Sequence, residues 1–523
     1  MELEKRCFQV VKKYSSHIKA VVLIMFLIHG AKLNAGVVGI DTEALIYGEN
    51  SFYHGWLNNG RQGLVLLKHI FQIETFNPYF AAMLTLLVFP AAVFGYFWLW
   101  DSVRGMKSSL LVWILGSILW ISHPVITEQF YFSLQSFEIA FGFLITAAAL
   151  YLTLLWTEKT RRLWAFGMGI VLLLLTFSIY QAFVPFYIFG AVTVLFLQTM
   201  REFDQGEQKM AVRALARTGG WMLVFLTAFV INTAITQKFF GSSGYLAEQI
   251  NWGTAPSGEI FRRIFDHIKS VLLGRSPVFY NAFYGRLLIC STVLLVVYLW
   301  RHGRKNIVGC VTVGFLYLVL QTMPFLMTFL QGGEPVLRSQ LVLPAMTGFQ
   351  VMLCLWLVED LTIAAKTVGR VVLAGVVFLG LLCGARTVKI TWSLYYTDQL
   401  RYEQDAALGR SLIQRIEEVC DQEDTLPVVV VGARPFQGNH SCIQGQVMGH
   451  SLFDWDISAS PVPYWSTRRV LGFLHTLGAD YDFVPMDRME DALGYSENMP
   501  EWPAEGCVQI QDGMVIVKLS DYE

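Results

Sequence analysis

Eleven stretches of this chain are apolar for long enough to cross a lipid bilayer, and that property limits what it can fold into more than any other. Hydrocarbon offers no partner for a backbone N–H or C=O, so a crossing segment must satisfy them internally, as a helix of about 20 apolar residues does. The stretches are approximately His17–Gly36, Pro78–Trp100, Ser109–Ser122, Phe137–Trp156, Trp164–Ile179, Ala182–Thr199, Gly219–Gln237, Arg286–Trp300, Ile307–Leu330, Leu341–Val358 and Val371–Ala385. The composition agrees. Hydrophobic residues make up 54% and charged residues 15% of the chain, against roughly 25% charged in a soluble domain. The fold expected is an α-helical polytopic membrane protein with about 11 spans over residues 1–388, followed by a small α/β domain over residues 389–523.

Lys and Arg are retained on the cytoplasmic side of short loops. With the N-terminus inside, the inner segments carry nineteen Lys and Arg. The outer loops carry seven: Arg61, Lys68, Arg262, Arg263, Lys269, Arg275 and Arg338. This distribution predicts a cytoplasmic N-terminus and, after an odd number of crossings, an extracytoplasmic C-terminal domain. The alternative, a cleaved signal peptide, fits less well, because a cut after Ala35 puts Leu33 where a small residue is wanted and Lys32 interrupts the approach.

The two long outer loops, about 37–77 and 238–285, exceed the usual length of a plain connection. The first has an apolar stripe at Leu45, Phe52, Tyr53 and Trp56, the second one at Ile260, Phe261, Ile264, Phe265 and Ile268. Both are spaced for helices lying along a membrane surface. In the tail, Arg401–Cys420 reads as a helix, Pro427–Gly432 as a buried strand and Arg468–Leu477 as a second helix. Cys507–Ile510 with Val515–Leu519 reads as a hairpin about Asp512-Gly513. Neither a phosphate-cradling G-x-G-x-x-G nor a metal-ligand spacing is present there. Of eight cysteines, Cys420, Cys442 and Cys507 fall in this outer tail, enough for one disulfide in an oxidising compartment. A net charge of -1 leaves no basic footprint for nucleic acid.

Candidate chemistry collects on the outer side. Asp41 and Glu43 follow the first span closely, where partial desolvation turns a carboxylate into a better base. Asp41 has an equal claim as the N-cap of a helix starting at Thr42. In a helix the two carboxylates face apart, and in an extended segment they face together. Arg61, between Gly60 and Gly63, and Arg338, at the outer edge of a span, are suited to gripping a phosphate; each also has a plain reading, as a turn residue or a snorkelling cation. Glu128 and Gln129 after His123-Pro124, and Tyr180-Gln181 in a tight loop, converge on the same side and predict a shared external cavity. Glu138 reads as a satisfied residue inside a helix.

With Asp41-Thr-Glu43, Trp56…Gly60-Arg61, Ser178-Ile-Tyr-Gln181 and Arg338 in view, the chain resembles the GtrII glucosyltransferase family, within the GT-C superfamily of lipid-linked glycosyltransferases. Where related proteins often carry adjacent acidic residues, Thr42 separates the pair here. The resemblance implies a bacterial plasma-membrane enzyme, a polyprenyl-phosphate-linked sugar as donor and a cell-envelope glycan or glycolipid as acceptor. It implies inverting displacement with Asp41 or Glu43 as base, Arg61 or Arg338 on the leaving phosphate, and a divalent cation in some members only. A transporter, flippase or polymerase of lipid-linked glycans is the competing class. Such proteins tend to show internal repeats and mid-bilayer polar residues, and no repeat is visible here.

Overall fold

The structure, a computed structural model, describes residues 9–33, 38–158, 162–240, 249–281, 283–303, 306–420 and 426–522. Lys5, Arg6, Lys159, Arg161, Arg304 and Lys305 of the inner segments, and the end of the first stretch at Gly36, lie outside them. Among the described residues, nine helices are long and apolar enough to cross a membrane, and one bent pair adds a tenth. The apolar helix Leu163–Ile179 is shorter than these. Each of the eleven apolar stretches therefore has a helix in the structure, and the chain is a polytopic helical membrane protein.

The bent pair corrects the sequence reading. The stretch Ser109–Ser122 forms a helix of 12 residues, Leu110–Ile121, which rises only about 18 Å at 1.5 Å per residue and cannot cross alone. It continues, after a 52° bend, as Pro124–Tyr131. Pro124 opens this second piece at a position where a missing N–H is harmless, and the His123 ring accepts from Val125 N–H at 3.2 Å. All eight residues of the piece are buried, so Glu128 and Gln129 belong to a packed helix instead of an open loop.

The first surface stripe is also corrected. Leu45 and Trp56 do not share a helix, because the chain breaks at Gly48 between Thr42–Tyr47 and Glu49–Asn58. Both residues are buried, and Phe52 and Tyr53 pack edge-on against Trp56; the stripe faces protein. The helix Ser257–Leu273 divides its stripe, burying Ile260 and Ile264 while Phe261 and Phe265 point outward.

The helix Lys366–Val419 runs for 54 residues without a break through residue 388. At about 81 Å it is far longer than the ~30 Å hydrocarbon core, so one continuous helix leaves the apolar bundle and carries the tail. The tail holds a three-stranded sheet in the order β1-β3-β2: β1 (Val428–Val431), β2 (Val508–Gln511) and β3 (Met514–Lys518). β1 runs parallel to β3, and β2 pairs antiparallel to it. Asp512 and Gly513 both take positive φ (46° and 69°), which suits the tight hairpin turn expected there. All four valines of β1 are buried: Val428 and Val430 join the main core, Val429 and Val431 a smaller one with Val484, Met489 and Ile516.

β1 is an edge strand; a bridge to Phe483 covers that edge at Val428, and the helix Tyr464–Thr476 covers it at Val430. The Thr467 hydroxyl accepts from Val430 N–H at 3.1 Å and donates to Val430 C=O at 3.2 Å. This fixes the rotation of the helix and so the direction of the next two side chains, Arg468 and Arg469. Cys442 and Cys507 are both free thiols, so neither takes part in the disulfide the composition allowed.

Candidate functional site

A cavity of about 550 Å³ opens where the first span ends and the helix Ser133–Glu158 begins. Its walls include Asp41, Glu43, Arg61 and Arg338, four of the residues singled out from sequence, together with Trp56 and Gln135 from the body and Asp456, Trp465, Arg468 and Arg469 from the tail.

Asp41 stands at the N-cap position of Thr42–Tyr47, but its side chain makes no capping bond. Its backbone is left-handed (φ 72°, ψ -16°), a conformation costing a non-glycine residue about 1–2 kcal/mol. The neighbours impose it. Ile40 N–H donates to the Tyr131 hydroxyl at 3.0 Å, and Arg401 Nη1 donates to Val38 C=O at 3.2 Å. Gly39 lies so close to the Tyr131 ring that a Cβ there would come within 2.7 Å of it. Arg401 itself is fully buried and ion-paired to Asp398 at 2.8 Å and Asp405 at 3.4 Å. The capping explanation for Asp41 is thus set aside, and its carboxylate faces the cavity, 39% exposed.

Glu43, in the first turn of that short helix, is 1% exposed. Burial pushes its carboxyl up to about 8; the Arg469 guanidinium opposes this and the charge of Asp41 adds to it. Oε1 accepts from Arg469 Nη1, and Oε2 has no hydrogen-bond partner among the described residues. Arg469 Nη2 also lies 3.4 Å from Asp41 Oδ1 and 2.7 Å from Asp456 Oδ2, while Nε donates to Asp456 Oδ2 at 2.7 Å. The three carboxylates hold this guanidinium charged more firmly than usual, against its own burial.

Also lining the cavity, Arg61 Nη1 donates to Gln135 Oε1 at 3.2 Å, and its guanidinium lies 5.0 Å from the centre of the Tyr180 ring. Gln181 Nε2 donates to Asn59 C=O at 2.5 Å. Gly60 adopts φ 70° beside Gln181, and a Cβ on Gly63 would sit 2.2 Å from Ser178 Oγ. Gly60-Arg61-Gln-Gly63 and Ser178-Ile-Tyr-Gln181 are therefore one packed clip that aims Arg61. Arg338, in the turn Leu337–Ser339, stacks over Phe132 at 4.9 Å. Tyr180 and Gln181 support Arg61 from behind and, among the described residues, do not line the cavity.

Glu128 and Gln129 also lie away from the cavity wall. Glu128 accepts from Gln446 N–H at 2.8 Å and Val447 N–H at 3.3 Å, so it docks the tail onto the body. Neither amide atom of Gln129 has a partner among the described residues. Glu138 is paired with Lys68 Nζ at 2.7 Å, both buried, the satisfied state expected of it.

Asp456, Trp465, Arg468 and Arg469 had no signal of their own. Arg468-Arg469 in an amphipathic tail helix is indistinguishable from a solvated face until Thr467 fixes its rotation. A divalent cation does not fit the acidic group, because the Arg469 guanidinium already occupies its centre. Among the described residues no three His, Cys, Asp or Glu side chains are placed to hold a metal ion.

No curated protein and no solved structure matches this chain. A family model does, that of glucosyl transferase GtrII, over residues 30–355. The matched segment contains Asp41, Glu43, Arg61 and Arg338 and ends before Asp456 and Arg469. Since the match covers more than half of the 523 residues, the chain belongs to the GtrII glucosyl transferase family, and it is a glycosyltransferase built into a multi-pass membrane body.

Proposed function

We propose that this protein moves a glucosyl residue from a polyprenyl-phosphate donor to a cell-envelope glycan or glycolipid on the extracytoplasmic side of a bacterial plasma membrane, as a GT-C type transferase. The observation that carries this reading is the one cavity that Asp41, Glu43, Arg61 and Arg338 line together. Arginines in such a cavity can supply counter-charge to a leaving phosphate, and carboxylates in it can take the proton of an attacking hydroxyl. The excess of Lys and Arg in the other set of loops supports the outer orientation.

The reaction is a single displacement with inversion. Asp41, the more open of the two carboxylates, takes the proton of the acceptor hydroxyl as its oxygen bonds to the anomeric carbon. The bond from that carbon to the phosphate oxygen breaks, and its electron pair leaves with the polyprenyl phosphate, whose charge Arg61 and Arg338 stabilise. Glu43, buried and held up near 8, supports Asp41 at neutral pH instead of replacing it.

The test is incubation of the purified protein with polyprenyl-phosphate glucose and an envelope glycan acceptor, following release of free polyprenyl phosphate. Release by wild type and its loss in Asp41→Asn are the expected results. Movement of the lipid-linked sugar between leaflets without any release would instead favour the transporter class.

A further inference from the structure

Asp41 and Glu43 follow the first span, and Asp456 comes from the tail, yet the three carboxylates surround one group. With nothing between them their charged forms would repel, since two unit charges 4 Å apart cost about 4 kcal/mol at an effective dielectric constant of 20, and the charge of Asp41 already adds to burial in holding the Glu43 proton. The group between them is the guanidinium of Arg469, itself 11% exposed. It engages Glu43 through Nη1, Asp41 through Nη2 and Asp456 through Nε and Nη2.

Geometry separates this from a metal centre. A divalent cation draws oxygens to about 2.0–2.6 Å. A guanidinium holds them at the ends of its N–H bonds, here at 2.7 Å for Asp456 and 3.4 Å for Asp41. Arg469 and Asp456 also lie beyond residues 30–355, the segment that defines the family match.

We propose that Arg469, supplied by the tail, is the resident cation of this active site: a positioning residue that holds Asp41 and Glu43 in place, so that sugar transfer needs no divalent metal. The inference rests on the polyprenyl-phosphate transfer proposed above for its kinetic consequences, and on the arrangement of the carboxylates alone for its binding consequence.

Two measurements on the full-length protein in detergent test it. The first is Mn²⁺ binding followed by electron paramagnetic resonance. Wild type should take up no stoichiometric Mn²⁺; uptake that disappears in Asp41→Asn or Asp456→Asn would overturn the proposal. The second is release of polyprenyl phosphate. EDTA should leave the wild-type rate unchanged, and a loss restored by added Mn²⁺ would overturn the proposal.

Arg469→Gly should slow transfer ~100-fold, the order of effect of misplacing a reacting group by an ångström, and millimolar guanidinium ion should restore part of the rate. Failure of rescue in a folded variant counts against the positioning role. If Arg469→Gly does not fold, Arg469→Lys takes its place: it keeps the charge but cannot bridge three carboxylates, and a wild-type rate in it would refute that role. If wild type releases no polyprenyl phosphate under any condition, the transfer reading fails, and the Mn²⁺ measurement still decides the nature of the cation.

Discussion

Arg469 Nη2 and Asp41 Oδ1 lie 3.4 Å apart although 428 positions separate them in the chain. This contact joins a family-defining segment to a tail outside it, and it makes the candidate active site a product of two parts of the molecule.

Asp41→Asn should lower the rate of transfer by 10²–10⁴-fold, the usual worth of general-base help. The fold should persist, because Asp41 is partly exposed and its side chain makes no capping bond. Release of polyprenyl phosphate and a melting curve on the same preparation check both halves of the statement.

Glu43 gives stability a pH dependence of definite sign. Its carboxyl is raised from 4.5 to about 8 on folding, so the folded protein binds the more protons between those values. Its contribution is then fully present below about pH 4.5 and is lost as the pH rises through about 8. Melting temperatures taken from pH 5 to 8.5 should fall more steeply in wild type than in Glu43→Gln. At pH 7 that variant should also transfer sugar far faster than Asp41→Asn does; equal losses would assign the base role to both carboxylates.

Arg61 and Arg338 should act on the donor. Replacing either with Ala should raise KM for polyprenyl-phosphate glucose and also lower kcat, since the phosphate gains charge as it leaves. Steady-state kinetics with varied donor check this. Tyr180→Leu should reproduce a weaker form of the Arg61 effect, because it removes the ring beneath that guanidinium, a contact worth about 0.5–2 kcal/mol.

Lys68 and Glu138 form a buried pair at 2.7 Å. Lys68→Met should destabilise the protein by about 3–5 kcal/mol by leaving a carboxylate without its counter-charge. The double variant with Glu138→Leu should recover most of that loss in a denaturation series.

Gly445→Ala should loosen the tail. A Cβ there would come within 1.6 Å of Glu128 Oε1, which already receives backbone N–H groups from Gln446 and Val447. Relief requires the Glu128 carboxylate to move off those N–H groups, and overpacking of this kind costs about 1–3 kcal/mol. Limited proteolysis should cut the variant sooner, and its transfer rate should fall with the displacement of Arg469.

The spans were legible because lipid forces the backbone to satisfy itself, and a run of about 20 apolar residues records directly the helix that does so. The Asp512-Gly513 hairpin and the four-valine strand were legible for a similar reason: left-handed turn geometry and two-sided burial each narrow the residue types allowed. Glu128 shows where that kind of reading stops. A carboxylate after His123-Pro124 looks like part of an outer loop, until a 52° bend turns the segment inward and the tail's N–H groups close on it.

By itself, then, the sequence determined a polytopic helical body, a small mixed tail and the residue types able to act as base and phosphate clamp, because each depends on local periodicity or on chemistry carried by one side chain. Only the tertiary structure decided which of them meet. The Gly60–Gly63 clip aims Arg61, the left-handed turn at Asp41 frees its carboxylate, and the Thr467 bond to β1 points Arg469 into the cavity. Each depends on contacts between segments far apart in the chain, which no local pattern encodes.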